Sequence, residues 1–104
     1  MQFALIHTES VDGFTIRFFA APEDIDPAGQ FHDPQDVADI LEGRLAWFVA
    51  KVTASKLGVE LASDYLGGCA YRDVSDFVRE SGGYYDDMRN AVIKDARNTI
   101  NQLK

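Results

Sequence analysis

The stretch Leu45–Tyr71, LAWFVAKVTASKLGVELASDYLGGCAY, constrains the fold of this chain more than any other. Leu45, Trp47 and Val49 alternate with Ala46, Phe48, Ala50 and Val52. Trp, Phe and Val favour the pleated, half-buried setting of a strand. Both faces are apolar at the start, which predicts an interior strand covered on both sides near Trp47. Lys51 and Thr53 then make one face polar. A turn is expected around Ser55-Lys56-Leu57-Gly58, where Gly58 takes a positive φ without steric cost. Val59 and Leu61 resume on one face, Glu60 and Ala62 on the other, as in a strand with one wet face. Gly67-Gly68 should end that strand or bulge it.

The flanking sequence supplies a second hairpin and three helices. Phe3 to Thr8 reads as a strand, and Asp12-Gly13 is a strong hairpin signal between apolar runs. Phe14, Ile16 and Phe18 then face one way, Thr15, Arg17 and Phe19 the other. Ala21-Pro22 closes this strand, because proline cannot donate to a ladder. Pro22 to Phe31 is a loop by composition. Asp33 is placed to cap a short helix with Pro34 at its first position, and Asp36 suits the positive end of its dipole. Val37, Ile40 and Leu41 are spaced for a buried face, and Gly43 is placed to end the helix. Asp73 is expected to cap a second helix with Val74, Phe77 and Val78 inward, stopped by Ser81-Gly82-Gly83.

A last helix from about Tyr84 to Leu103 carries its apolar stripe on Tyr85, Met88, Val92, Ala96, Ile100 and Leu103. Its length, at 1.5 Å per residue, is roughly 30 Å. The order ββ-α-ββ-α-α predicts an α+β fold, a four-stranded antiparallel sheet with helices mainly on one face. With 104 residues, 46% hydrophobic and 12% aromatic, a single domain with a real core is expected. No internal repeat or low-complexity segment interrupts it.

Charge is the strongest functional signal. The net charge of −7 is unevenly placed. Residues 1–43 carry nine acids and one base, Arg17, for a net −8, and residues 44–104 carry eight acids and nine bases, for a net +1. Between Phe18 and Gly43 there are seven acids and no Lys or Arg: Glu23, Asp24, Asp26, Asp33, Asp36, Asp39 and Glu42. Such a surface repels nucleic acid and anionic lipid and attracts basic partners. The last four recur every three residues, and side chains three apart on a helix are neighbours at about 5–6 Å between Cβ atoms. They predict a negative row opposite Val37 and Ile40, complementary to a Lys/Arg groove built for a nucleic-acid backbone. An ordinary solvated helix face is the competing reading.

The other chemistry-bearing residues point to no reaction. Cys69 has His7 and His32 as its possible histidine partners, far apart in sequence, and a thiol nucleophile needs a base and an orienting group. A buried thiol is the default. Structural zinc takes four N or S ligands, so no metal site is expected. Glu23, Asp24 and Asp26 lack the acid ladder and terminal Glu of an EF-hand loop. Gly67-Gly68-Cys69 matches no phosphate loop. Trp47 and Phe48 read as core, and basic residues that would flank a nucleic-acid stacking platform are missing from the first half. Tyr84 is freer than Tyr85, which the helix stripe requires. No cofactor is implied. A lone cysteine cannot form an internal disulfide and points to a reducing cytoplasm. The short apolar run after Met1 lacks a basic flank, so no signal peptide is expected. No apolar run reaches the roughly 20 residues of a membrane span.

The stretch WFVAKVTASKLGVELASDYLGGCAY, followed by SDFV and GGYYDDM, resembles small uncharacterised proteins of bacterial phages, plasmids and integrated elements. The resemblance covers about the C-terminal two-thirds of the chain. In size, acidity and want of a catalytic set, the chain is also similar to phage anti-CRISPR proteins, a likeness of profile rather than motif. That likeness implies a stoichiometric inhibitor, not an enzyme, docking on the basic surface of a host protein or ribonucleoprotein complex, with no direct nucleic-acid contact and no membrane. The alternative is a non-enzymatic accessory module that binds another phage- or plasmid-encoded protein. Oligomeric state is left open.

Overall fold

The computed structural model describes residues 1–104 and contains four strands and three helices. The strands are β1 (Ala4–Val11), β2 (Phe14–Pro22), β3 (Ala46–Lys56) and β4 (Val59–Tyr71); the helices are α1 (Pro34–Leu41), α2 (Asp76–Arg79) and α3 (Tyr84–Gln102). The sheet is antiparallel throughout, in the order β1-β2-β3-β4. Sequence order equals spatial order because each hairpin closes locally and β2 pairs with β3 across the α1 excursion. The fold is the expected α+β sheet in the order ββ-α-ββ-α-α. The molecule is elongated, 52 × 23 × 22 Å, as a long strand rising about 3.3 Å per residue dictates.

Both hairpins turn on two residues with positive φ: Asp12 (54°) and Gly13 (84°), then Leu57 (52°) and Gly58 (78°). Turns of this hand match the right-handed twist of the flanking strands. Gly67-Gly68 bulges β4 rather than ending it: Phe48 pairs with Cys69 and Ala50 with Leu66, so the two glycines together face Val49. Gly68 takes φ +68°, open to glycine at no steric cost. A second irregularity falls at Leu61, between the Ala54–Ala62 and Ser55–Glu60 pairs.

The pleat sorts the residues into two faces. Phe14, Ile16, Phe18 and Ala20 of β2 join Phe48, Ala50, Val52 and Ala54 of β3 in one buried cluster. α2 contributes Phe77, and α3 contributes Tyr85, Met88, Val92 and Ala96 to the same cluster. Phe77 is its hub: its ring stacks on Phe18 at 5.0 Å between centroids and meets Tyr71 at 5.4 Å and Phe48 at 5.8 Å. On the opposite face a row runs in register across all four strands: Leu5, Phe19, Lys51 and Tyr65. Lys51 Nζ lies 5.5–5.7 Å from the ring centroids of Phe3, Phe19 and Tyr65, a cation over three aromatic faces. The same face carries Trp47 at one end, covered by the loop after β2, as the two-sided apolar start of β3 requires: Trp47 Nε1 donates to the Ile25 carbonyl at 2.8 Å, and Phe31 packs on the indole.

Three local expectations differ in detail. Leu41 is 71% exposed, and α1 buries no residue fully. A two-turn helix presents a narrow stripe, on which Val37 and Ile40 are half-buried, and Leu41 lies about 100° further round. Leu103 is exposed because the last turn of α3 has already ended at Gln102. α2 starts at Asp76, with Asp73 instead holding the preceding turn by accepting from Ser75 N and Oγ.

Candidate interaction surface

The seven acids expected to form the partner surface lie at the Trp47 end of the sheet, but their roles differ. Glu23 is fastened to β3 and β4. Its N–H donates to the Trp47 carbonyl at 3.1 Å, and its Oε2 accepts from Gly68 N at 3.2 Å. Asp26 Oδ1 accepts from Ala28 N, closing a tight loop turn. Asp33 is the N-cap of α1, accepting from Gln35 N at 2.9 Å. Asp24 and Asp36 carry no internal partner among the hydrogen bonds and ion pairs that hold the other five.

The C-terminal half of the row is not free charge. Asp39 Oδ1 accepts from Gln35 Nε2 at 2.8 Å and from Arg44 Nε at 2.7 Å. Those two hydrogen bonds, from Gln35 first and Arg44 second, hold its carboxyl below the usual range. Arg44 also pairs with Glu42, and its own pKa is raised, chiefly by the hydrogen bond to Asp39. The Asp39 carbonyl meanwhile accepts from Arg44 N and Leu45 N, so the same two residues end the helix through main chain and side chain together. Arg44 stands one residue beyond the base-free interval, and folding turns it back onto the row. The surface is therefore two free carboxylates, Asp24 and Asp36, three that accept from main-chain amides, Glu23, Asp26 and Asp33, and a corner where Arg44 offsets one of the two charges of Asp39 and Glu42.

Beside the loop, the outer side of β4 forms a shallow groove of about 260 Å³, floored by Leu66–Tyr71 and walled by Phe31 and Tyr84. Tyr84 is 60% exposed, in contrast to Tyr85 at 1%. Sequence reading singled out Tyr84 and the glycine pair separately and gave no sign that Phe31 joins them, because that meeting depends on the loop folding over Trp47. Tyr71 Oη donates to Glu80 Oε2 at 2.9 Å; burial, then that carboxylate, raises its pKa.

Cys69 is buried and free, and its Sγ lies 3.4 Å from the Leu66 carbonyl rather than against either histidine. His7 is instead engaged with Glu9 at 3.1 Å. Desolvation pushes the Cys69 thiol up to about 11, with nearby Glu23 a smaller contribution in the same direction. The thiolate needed for nucleophilic attack is thus disfavoured at neutral pH. No group of three or more His, Cys, Asp or Glu side chains is arranged to hold a metal ion. No helix is long and apolar enough to cross a membrane. Comparison of the chain with protein-family models, with curated proteins and with solved structures yields no match.

Proposed function

We propose that this chain is an acidic interaction protein, encoded by a phage or other mobile element, that acts as a stoichiometric inhibitor of a bacterial defence complex in the manner of an anti-CRISPR protein. It docks on a basic surface that otherwise holds a nucleic-acid backbone. The observation that carries the reading is the ordered acidic surface: Asp24 and Asp36 are carboxylates without internal partners, displayed by a loop and a capped helix that Glu23 and Trp47 fasten to the sheet. Fixed carboxylates on a firm support mimic phosphates better than a mobile acidic tail, because less side-chain and loop ordering is lost on binding. The buried, unpaired Cys69 thiol offers no competing catalytic reading.

The variant that tests this is Asp24→Lys with Asp36→Lys, which reverses local charge while sparing the cap at Asp33, the Gly68 contact of Glu23 and the Asp39–Arg44 pair. Wild-type protein, used as bait in a bacterial lysate, is expected to retain a nucleic-acid-binding protein or ribonucleoprotein. Duplex DNA or heparin should compete that protein away, and the double variant should fail to hold it at moderate salt. Retention indifferent to both polyanion and charge reversal would refute the reading. A retained phage or plasmid protein with no affinity for nucleic acid would favour an accessory module instead.

A further inference from the structure

We propose that the outer edge of β4 between Leu66 and Tyr71 is a strand-addition site for an extended, basic segment of the partner protein. This deepens the docking reading above and rests on it for the sign of the partner's charge.

The first support is the free main chain. β4 is an edge strand, and none of the main-chain hydrogen bonds outside the ladders and helices involves it. Which of its groups point outward follows from the ladder. The Trp47 carbonyl accepts from Glu23 N, so Trp47 turns its main-chain polar groups toward the β2 side. Its neighbours Ala46 and Phe48 then face β4, making Ala46–Tyr71 and Phe48–Cys69 the hydrogen-bonded pairs. Ala70 between them directs its N–H and C=O away from the sheet. Another outward β4 amide has a side-chain acceptor in place of a strand: Tyr65 N donates to Asp64 Oδ1 at 3.0 Å; Gly68 N, in the bulge, donates to Glu23 Oε2 at 3.2 Å, a carboxylate that reaches it across β3 and not from the open edge. Carboxylates on edge amides shield a strand from casual pairing. Ala70 has no such shield.

The second support is the groove over that edge. Phe31 and Tyr84 stand on either side of it, and Gly67 and Gly68 leave its middle without side chains. An incoming strand places alternate side chains on the two sides of the sheet, where these aromatic walls receive them.

The third support decides the occupant. Glu23 lies against Gly67 and Gly68, at the start of the loop that carries Asp24 and Asp26, and Glu80 is bonded to Tyr71 at the other end of the segment. A second copy of this chain would bring the same acids against themselves. A segment bearing Lys or Arg is complementary to them.

The test uses a blocked, alternating Lys-Val peptide of about eight residues and its fully N-methylated counterpart, which keeps side chains and charge but has no amide hydrogen to donate. The unmethylated peptide should bind about tenfold more tightly, the equivalent of one or two net hydrogen bonds. It should slow hydrogen exchange at the Ala70 amide about tenfold, and Tyr84→Ala should weaken it several-fold. Equal binding of the two peptides with Ala70 unprotected would mean attraction by charge alone; strand addition is then overturned while acidic docking stands. Protection of Ala70 that persists undiminished in the Asp24→Lys, Asp36→Lys variant would uphold the edge site and remove the acidic reading. Binding of neither peptide overturns the proposal. So does concentration-dependent Ala70 protection with dimers in sedimentation, which would put a second copy on the edge.

Discussion

The molecule is two hairpins joined side by side, and they end on unlike edges. β1–β2 and β3–β4 share the same two-residue turn geometry and the same pleat. The outer strand of the first has eight residues, most of them exposed, and an irregularity at Ile6; Glu9–Arg89 at 3.5 Å, the turn residue Asp12 with Arg97 at 2.8 Å, and His7 edge-on to the Tyr85 ring link that hairpin to α3. The outer strand of the second has thirteen residues and two bulges, and it carries its groove on the side away from β3. Ion pairs to α3 mark the first hairpin; the second carries two irregularities in its outer strand and the groove between Phe31 and Tyr84. Long edges that are neither covered nor charged along their length invite pairing, and on β4 the Ala70 segment beside the groove meets that description.

Removing the hub of the core should separate the hairpins most. Phe77 is fully buried, and its ring packs on Phe18 of β2, Phe48 of β3, Tyr71 of β4 and Tyr85 of α3. Phe77→Ala is expected to cost about 3–5 kcal/mol, the usual range for a buried aromatic truncated to a cavity. Native-state hydrogen exchange should show the loss of protection concentrated at Cys69–Tyr71 rather than along β1. Uniform loss across both edges would mean the two hairpins unfold as one unit and that their difference is confined to the surface.

A smaller effect is expected at the bulge. Gly68 sits at φ +68°, and a Cβ there would stand 3.4 Å from Trp47 Cη2. Gly68→Ala therefore places a Cβ on a left-handed backbone and against the indole, for about 1–2 kcal/mol. Trp47 is the sole tryptophan, so its emission reports the site directly. The expected outcome is a lowered denaturation midpoint with a shifted emission maximum, and an unchanged spectrum would show that the bulge relaxes without moving the loop.

The fold was largely legible in the sequence because its signals are local. Asp12-Gly13, the alternation through Trp47–Val52 and the α3 stripe each act within a few residues, and each element lies where those signals put it. The candidate surface was less legible for the same reason. The spacing of Asp33, Asp36, Asp39 and Glu42 is a local fact, but Arg44 offsets part of the charge at its end through a turn-back that no periodicity reports. A shift of three residues also turns a helix by about 60°, so the row spirals instead of running straight, and its first and last members fall at the caps. Phe31 meeting Tyr84 over β4 joins residues more than fifty positions apart, through a loop whose composition said only that it was a loop.

The smallest expected effect concerns the two turns, where one geometry is met by different residues. The first position is Asp12 in one hairpin and Leu57 in the other, both with φ above 50°. Asp and Asn tolerate the left-handed region because their short polar side chains bond locally, whereas a leucine gains nothing there. Leu57 is 96% exposed, so its side chain offers no burial in return. Leu57→Asn is thus expected to stabilise the protein by about 0.5–1 kcal/mol. For a domain near this length that is a rise in Tm of about 3–6 °C, measurable by a thermal melt. The reciprocal change, Asp12→Leu, should lower Tm by at least as much, since it also removes the exposed pair with Arg97. If Leu57→Asn leaves Tm unchanged or lowers it, the leucine is held by packing after all. The nearby apolar groups Val59, Leu61, Ile100 and Leu103 would then be the place where it packs.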